Sequence, residues 1–75
     1  MLMPTIRELR DGRGWTQAEL AERAGVHWNT VARWERGEVT PDRRSRRLLE
    51  LVFGVRPEEV EYKPAARLGG GGEGR

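Results

Sequence analysis

Two short helical segments separated by a very short turn constrain this chain more than any other feature. Thr16 and Glu19 have the spacing of a capping box, in which the two side chains bond the first N–H groups of a helix. Gly25 can adopt the left-handed conformation that ends such a helix. A second helical pattern begins straight after Val26 and continues to Gly37. With so little chain between them, the two helices have to cross each other closely.

The residues at this crossing fit a helix-turn-helix arrangement. Ala21 is small enough for the two helices to approach each other, and the turn at Gly25 swings the second of them outward. Val31 and Trp34 share one face of the outward helix. The opposite face carries a largely polar set of side chains: Trp28, Asn29, Ala32, Arg33 and Arg36.

Three further segments predict helices. Thr5 is the expected N-cap of a first helix that runs to about Asp11, and Glu8, three residues later, has the spacing of a second capping box. Pro41 opens a fourth helix that reaches about Phe53, and Pro57 begins a short last one. We therefore expect an all-α fold of five helices without a sheet. The expected core consists of apolar residues at helical spacing: Ile6, Leu9, Trp15, Leu20, Ala21, Ala24, Val31, Trp34, Leu49, Val52 and Phe53.

Composition argues against catalysis and against metal binding. The chain has 75 residues, no cysteine and one histidine, His27, which excludes disulfides, thiol chemistry and His-rich metal sites. It has no glycine-rich loop between a strand and a helix and no evident pair of catalytic carboxylates. We therefore expect a protein that is not an enzyme and that needs no cofactor, metal or small-molecule ligand.

Hydropathy predicts no membrane association. No apolar run approaches the roughly 20 residues that span a bilayer. The opening residues, MLMPTIRELR, lack the basic and apolar regions of a secretory signal. A cytoplasmic location is the resulting expectation.

Positive charge is concentrated in the middle of the chain. The formal net charge is only +2, but residues 27–47 hold six arginines against three acidic residues. A basic stretch of this kind is typical of a surface that binds a polyanion. A solvated surface helix explains the same charges, so charge alone leaves both interpretations open.

A change of composition marks the end of the folded part. Residues 1–62 are expected to form one domain. The segment 63–75 contains Pro64 and the run Gly69–Gly72, which predict a flexible, glycine-rich tail.

Two stretches of sequence carry a specific family resemblance. Residues 17–26 read QAELAERAGV and residues 30–37 read TVARWERG. Over about residues 5–60 the chain resembles the Cro and phage-repressor class of helix-turn-helix proteins, also called the xenobiotic-response-element (XRE) family. The alanine, glycine and valine named above fall at the family's spacing, and the Trp-Glu-Arg-Gly exit matches it as well.

This resemblance implies a fold and a function. The fold would be a five-helix, lambda-repressor-like DNA-binding domain. The function would be that of a transcriptional regulator, a repressor, whose third helix, about residues 28–36, enters the major groove of its operator. Double-stranded DNA would then be its partner, and the nucleoid its place in the cell.

The resemblance assigns the outward face of the third helix to the DNA bases. Arg33 can donate two hydrogen bonds to guanine O6 and N7, and Asn29 can pair with adenine N6 and N7. Trp28 fits either contact with a thymine methyl group or packing against its own protein. The expected base contacts are Trp28, Asn29, Ala32 and Arg33.

Other side chains are expected, by the same resemblance, to contact phosphate or to hold the fold together. Gln17 stands where the family touches phosphate and steadies the third helix, and His27 stands where the family usually places a Ser or Thr cap. The expected phosphate contacts are Gln17, His27, Arg36, Arg43, Arg44 and Arg13. Arg10 and Glu35 resemble the family's internal ion pair, whose role is structural.

A homodimer is expected because one recognition helix specifies too few base pairs among a genome's competing sites. Two-fold pairing predicts an inverted-repeat operator with half-site centres about 10 base pairs apart. The expected dimer surface lies around Phe53, Val55, Val60 and Tyr62, of which Val60 and Tyr62 fit sealing the core as well as meeting a partner subunit. Its small size predicts a weak dimer in solution.

Two other functions of the same fold stay open. The chain could be the antitoxin of a toxin–antitoxin pair, or an adaptor that binds another protein. The tail after Tyr62 lacks apolar anchors for a toxin, while Asn29 and Arg33 retain side chains that can read bases. Both observations favour a stand-alone DNA-binding regulator.

Overall fold

Four α-helices and one 3₁₀ turn form the regular structure of residues 3–62, the part of the chain that the computed structural model describes. The elements are α1 (Ile6–Gly12), α2 (Gln17–Ala24), α3 (Trp28–Arg36), α4 (Arg43–Phe53) and the turn Pro57–Glu59. No strand occurs among these residues, which confirms the all-α prediction. The flexible tail predicted for residues 63–75 lies outside the described residues.

The predicted fifth helix is a single 3₁₀ turn rather than an α-helix. Pro57 at its start has no N–H to donate, and at Val60 the chain is already extended, with φ −135° and ψ 140°. The extended end returns to α1, where the Glu61 N–H donates to the Pro4 carbonyl at 2.8 Å. Thr5 and Glu61 form an isolated parallel bridge there, which is a single contact and not a sheet.

Both capping boxes predicted from the sequence are present. The Thr5 hydroxyl accepts from the Glu8 N–H at 3.2 Å, and the Glu8 carboxylate accepts from the Thr5 N–H at 2.9 Å. Thr16 and Glu19 make the same two bonds at the start of α2, at 3.0 and 2.7 Å. A cap of this kind contributes about 1 kcal/mol. Because α2 has only eight residues, its cap matters for its stability as a helix.

Left-handed glycines end α2 and α3. Gly25 has φ 72° and ψ 31°, and Gly37 has φ 76° and ψ 18°, a region that residues with a Cβ rarely adopt. The Val26 N–H donates back to the Ala21 carbonyl at 2.9 Å and closes the first of these turns. The chain can therefore pass from α2 into α3 within a few residues.

The hydrophobic core lies between α2, α3 and α4 and is closed by α1. Leu20, Val31 and Leu49 are fully buried, and burial of such a side chain stabilises the fold by about 1.5–3 kcal/mol. Trp15 and Phe53 stack with their ring centroids 5.8 Å apart. The buried members of the core are Ile6, Leu20, Ala21, Ala24, Val31, Trp34, Leu49 and Phe53. Each of them belongs to the set expected from helical spacing.

Burial of two residues corrects the predicted dimer surface. Phe53 and Val60 are each 4% exposed, so neither can contact a partner while the core is intact. Val55 and Tyr62 are half-buried and pack against the core. Leu51 lines the same groove as Val55 and Tyr62 and is 73% exposed, because it lies on the side of α4 that turns away from the core. Leu51 is thus the large apolar side chain that this surface presents to solvent.

A buried ion pair ties α1 to α3. Arg10 Nε donates to Glu35 Oε2 at 2.7 Å and Arg10 Nη2 donates to Glu35 Oε1 at 3.0 Å. The two side chains are 11% and 5% exposed. Gln17 Nε2 adds a bond to Glu35 Oε1 at 3.0 Å, and Arg10 Nη1 donates to the Trp15 carbonyl at 2.8 Å. One carboxylate therefore connects α1, α2 and α3.

The network favours the ionised forms of both charged groups. The hydrogen bond to Glu35 raises the pKa of Arg10. Burial by itself would raise the pKa of Glu35, but the hydrogen bonds from Arg10 and Gln17 outweigh it and lower that pKa. A carboxylate with a lowered pKa stabilises the fold at neutral pH and loses its contribution as the pH falls through the pKa of the folded state.

Breaking the ion pair from one side should destabilise the domain strongly. Arg10→Met leaves the Glu35 carboxylate buried without its main partner, and we expect the free energy of unfolding to fall by about 3–5 kcal/mol. Urea denaturation followed by circular dichroism measures the change. Arg10→Met combined with Glu35→Leu should recover much of the loss, because no buried charge is then left alone. A double variant no more stable than Arg10→Met would contradict this account.

The same pair predicts a dependence of stability on pH. Glu35 has a lowered pKa in the folded state, so its contribution should be complete above the ordinary glutamate value of about 4.3 and should disappear below it. The free energy of unfolding of the wild type should therefore fall more steeply on acidification than that of the double variant. Parallel pH profiles for the two proteins would refute the role given to Glu35.

Candidate nucleic-acid interface

α3 presents a polar stripe to solvent on the side opposite its buried face. Val31 and Trp34 fix the rotation of the helix, since they are 0% and 5% exposed. The stripe consists of exposed residues that recur about once per turn along the helix: Trp28, Asn29, Arg33 and Arg36. The structure thus brings three predicted base-contacting residues and one predicted phosphate-contacting residue onto one surface.

Ala32 does not belong to the stripe, which corrects the prediction that it contacts a base. It is only 3% exposed, because the buried arc of α3 is wide and extends from Trp34 over Val31 to Ala32. Its methyl group is therefore not available to a thymine. Helical periodicity misplaced this residue because it lies at the border between the two faces, where spacing alone does not decide burial.

The first turn of α3 combines a histidine cap with an exposed tryptophan. His27 Nδ1 accepts from the Asn29 N–H at 3.1 Å, so His27 caps the N-terminus of α3 in place of a Ser or Thr. In the neutral ring the hydrogen then lies on Nε2, which can donate to a phosphate oxygen. The Trp28 ring stacks on His27 at 5.7 Å between centroids, yet Trp28 remains 53% exposed. Packing within the chain therefore leaves a large part of Trp28 open to a ligand.

Sequence reasoning missed an acidic partner at the end of α3. Glu38 Oε2 accepts from Arg36 Nε at 2.7 Å, and Glu38 Oε1 lies 3.7 Å from Arg33 Nε. Helical spacing of three and four residues offers Arg33 no acid. The left-handed turn at Gly37 returns the chain, however, and the Glu38 N–H donates to the Arg33 carbonyl at 3.0 Å. An acid directly after a helix-ending glycine is the signal that could have revealed the contact.

The contact with Arg36 shifts the pKa of both groups. Its hydrogen bond raises the pKa of Arg36 and lowers the pKa of Glu38. Both side chains are about half exposed, at 55% and 49%. The pair is therefore ionised at neutral pH and lies within reach of solvent and of any ligand that approaches α3.

Gln17 connects the start of α2 to the buried network. It is the first residue of α2, it is half-buried, and its Nε2 donates to Glu35 at 3.0 Å. An amide nitrogen carries two hydrogens, so the bond to Glu35 leaves a second donor for a phosphate oxygen. Gln17 steadies α3 through Glu35 from the N-terminus of the preceding helix.

Two exposed arginines, Arg43 and Arg44, open α4. They follow the N-cap Asp42, whose carboxylate accepts from the Ser45 N–H at 2.8 Å. That hydrogen bond lowers the pKa of Asp42. The cap keeps the first turn of α4 in place, so both guanidinium groups extend from a fixed helix end into solvent.

Arg13 is exposed and joins α1 to α4, and its predicted phosphate contact stays a prediction. Its guanidinium donates to the carbonyls of Leu9 and Phe53 and lies 5.0 Å from the centroid of the Phe53 ring. It thus ties α1 to the C-terminal end of α4, where a cation is favourable. Arg23 has a comparable position, 4.3 Å from the Trp15 ring centroid. Arg13 and Arg23 therefore lie against the aromatic rings of the core, whereas the arginines of the stripe lie on the exposed side of α3.

No group of three or more His, Cys, Asp or Glu side chains within residues 3–62 could hold a metal ion. Among the helices of that same part of the chain, none has the length and apolar character needed to span a bilayer.

Comparison with known proteins agrees with this architecture. A family model described as helix-turn-helix matches residues 6–60, which include all four α-helices. An uncharacterized HTH-type transcriptional regulator from Archaeoglobus fulgidus is 38% identical over 55 residues, which cover 73% of this chain and 79% of that protein. No solved structure matches the chain. The family match spans the turn at Gly25 and the helices on both sides of it, and the chain therefore belongs to the helix-turn-helix family.

Proposed function

We propose that this protein is a DNA-binding transcriptional regulator, and not an enzyme, whose α3 enters the major groove of double-stranded DNA. The exposed stripe of Trp28, Asn29 and Arg33 carries the proposal. These residues stand on a helix whose rotation is fixed by the core and by the Glu35 network. The major groove is about 12 Å wide and admits one helix. The relative from A. fulgidus is named as a transcriptional regulator, which supports the same function.

Each residue of the stripe suits a different base contact. Arg33 can present two guanidinium N–H groups to guanine O6 and N7, and Asn29 can donate to and accept from adenine. Trp28, with its large exposed ring, can pack on a thymine methyl group. A good two-bond contact contributes about 1–3 kcal/mol of discrimination against a wrong base.

Contacts to phosphate would fix the orientation of α3 without reading sequence. We assign this role to Arg36 of the stripe and to donors and cations on other parts of the fold: Gln17, His27, Arg43 and Arg44. Their charges and hydrogen-bond donors would place the protein on the nucleoid. An adaptor that binds protein through the same fold would lack the steep loss of DNA affinity with salt that phosphate contacts cause.

Repression is the regulatory mode that we infer. A domain that fills the major groove excludes other proteins from the same site by its bulk, whereas activation requires a further contact with the transcription machinery. The direction of regulation is measured with a reporter gene placed behind the selected operator.

We further propose a weak two-fold dimer in which Leu51, with Val55 and Tyr62, forms the contact. Leu51 is 73% exposed and lines one groove with the other two residues. A surface of this size is small compared with stable interfaces, so DNA would complete the assembly. Two recognition helices about 34 Å apart would read an inverted repeat with half-site centres about 10 base pairs apart.

Selection of bound sequences from random duplex DNA tests the proposed function and supplies the operator. Arg33→Ala should then weaken binding to the selected duplex by about 1–3 kcal/mol and relax the preference at one base position. Arg43→Ala should weaken binding to all sequences alike, because it removes a phosphate contact. Fluorescence anisotropy measures both. Failure to enrich any sequence, or an equal loss of discrimination from both variants, would contradict the proposal.

The dimer is tested by the spacing of half-sites. Wild-type protein should bind an inverted repeat cooperatively when half-site centres lie about one DNA turn apart, and should lose cooperativity when about half a turn is inserted. Leu51→Ser should abolish the cooperativity, whereas the matched control Val39→Ser, at a residue 41% exposed, should retain it. Gel-shift titration resolves the singly and doubly bound duplex. Cooperativity that is insensitive to spacing, or equally reduced in both variants, would refute a dimer through Leu51.

A further inference from the structure

A single carboxylate, that of Glu38, contacts both arginines of the exposed stripe. Glu38 Oε2 lies 2.7 Å from Arg36 Nε, and Glu38 Oε1 lies 3.7 Å from Arg33 Nε. Each oxygen therefore faces one guanidinium group. The backbone places the side chain of Glu38 beside α3, since the Glu38 N–H is bonded to the Arg33 carbonyl at 3.0 Å and Gly37 has left-handed dihedral angles.

The contact leaves part of each guanidinium group open. A guanidinium has five N–H donors, and the contacts with Glu38 are made by Nε. The Nη groups of Arg33 are the donors that can form the two-bond contact with guanine, whereas the contact with Glu38 is that of Nε, at 3.7 Å. Glu38 thus restrains Arg33 without consuming the donors that would read a base.

A carboxylate in this position opposes binding to the DNA backbone. To contact a phosphate, Arg36 or Arg33 would have to move away from Glu38, or the phosphate would have to lie close to the negative charge of Glu38. This cost is the same for every DNA sequence. The cost is offset only where Arg33 contacts a guanine, because Arg33 can make that base contact while it stays next to Glu38.

We propose that Glu38 is a specificity-determining residue, which holds Arg33 toward the bases and weakens the binding of Arg33 and Arg36 to phosphates of non-operator DNA. The inference rests on the proposed DNA binding and extends it to a residue outside the recognition helix. Its effect is on the ratio of operator affinity to non-operator affinity rather than on the stability of the fold. An exposed ion pair contributes little to folding, so variants at Glu38 should retain the helical circular dichroism spectrum and the unfolding transition of the wild type.

Glu38→Gln tests the proposal, because the amide has nearly the shape of the carboxylate and no charge. The probes are the duplex recovered by selection and a duplex of the same length and composition with the sequence scrambled. Glu38→Gln should bind the scrambled duplex about three- to tenfold more tightly than the wild type does. Its affinity for the selected duplex should rise less, so the ratio of the two affinities should fall. The slope of log K against log salt for the scrambled duplex should steepen by about one.

The matched control is Glu58→Gln. Glu58 is also an exposed acid next to an arginine, with its carboxylate 4.0 Å from Arg56 Nε, but it lies in the 3₁₀ turn and not beside α3. It changes the net charge of the protein by the same amount. We expect its affinities for both duplexes to stay within about twofold of the wild type, which separates a local effect from a general charge effect.

The outcomes separate this inference from the proposed function. If wild-type protein binds neither duplex, the proposed function fails and the inference fails with it. If the wild type binds and Glu38→Gln behaves like Glu58→Gln, DNA binding stands and the inference is wrong. If Glu38→Gln weakens binding to the selected duplex alone, Glu38 reads a base itself, as a carboxylate can at cytosine N4, and the inference is also wrong.

Discussion

The buried carboxylate of Glu35 fixes the orientation of α3, and the candidate interface depends on that orientation. Apolar packing at Val31 and Trp34 decides which side of α3 is buried, but apolar contacts are non-directional and tolerate small adjustments. The two hydrogen bonds from Arg10 and the third from Gln17 are directional. The charged hydrogen bonds therefore fix the C-terminal end of α3, while apolar packing fixes the rest of the helix. A helix that reads bases needs both, since base contacts require fixed positions.

Local signals in the sequence predicted most of the fold. The capping boxes at Thr5 and Thr16 and the left-handed glycines at positions 25 and 37 depend on residues that lie within a few positions of one another. The core face of each helix likewise follows from the spacing of its apolar residues. These features can be recognised before the tertiary structure is known, because residues outside the local segment have little effect on them.

What the sequence did not predict depends on surroundings in space. Ala32 lies at the edge of the buried arc, and only the packed structure shows on which side of that edge it falls. Arg13 meets the carbonyl of Phe53, which is 40 residues away in the chain. Glu38 reaches Arg33 because a glycine reverses the backbone. Val60, for which the sequence left a core position and a dimer contact open, is buried because the last described residues return to α1. In each case the neighbour that determines burial or contact lies outside the helix, and the periodic pattern describes residues within one helix only.

The return of the chain to its own beginning has a mechanical consequence. The Glu61 N–H bonds to the Pro4 carbonyl at 2.8 Å, next to the bridge between Thr5 and Glu61. Residues 4 and 61 are therefore side by side, and tension applied to the two ends would load this contact together with the 2.9 Å hydrogen bond that the Tyr62 hydroxyl donates to Glu50 of α4. Their rupture would separate the last described residues from α1 and α4 while the crossing of α2 and α3 stays packed. Tension on either end would in this way act first on the terminal segments and not on α3, which faces the proposed DNA.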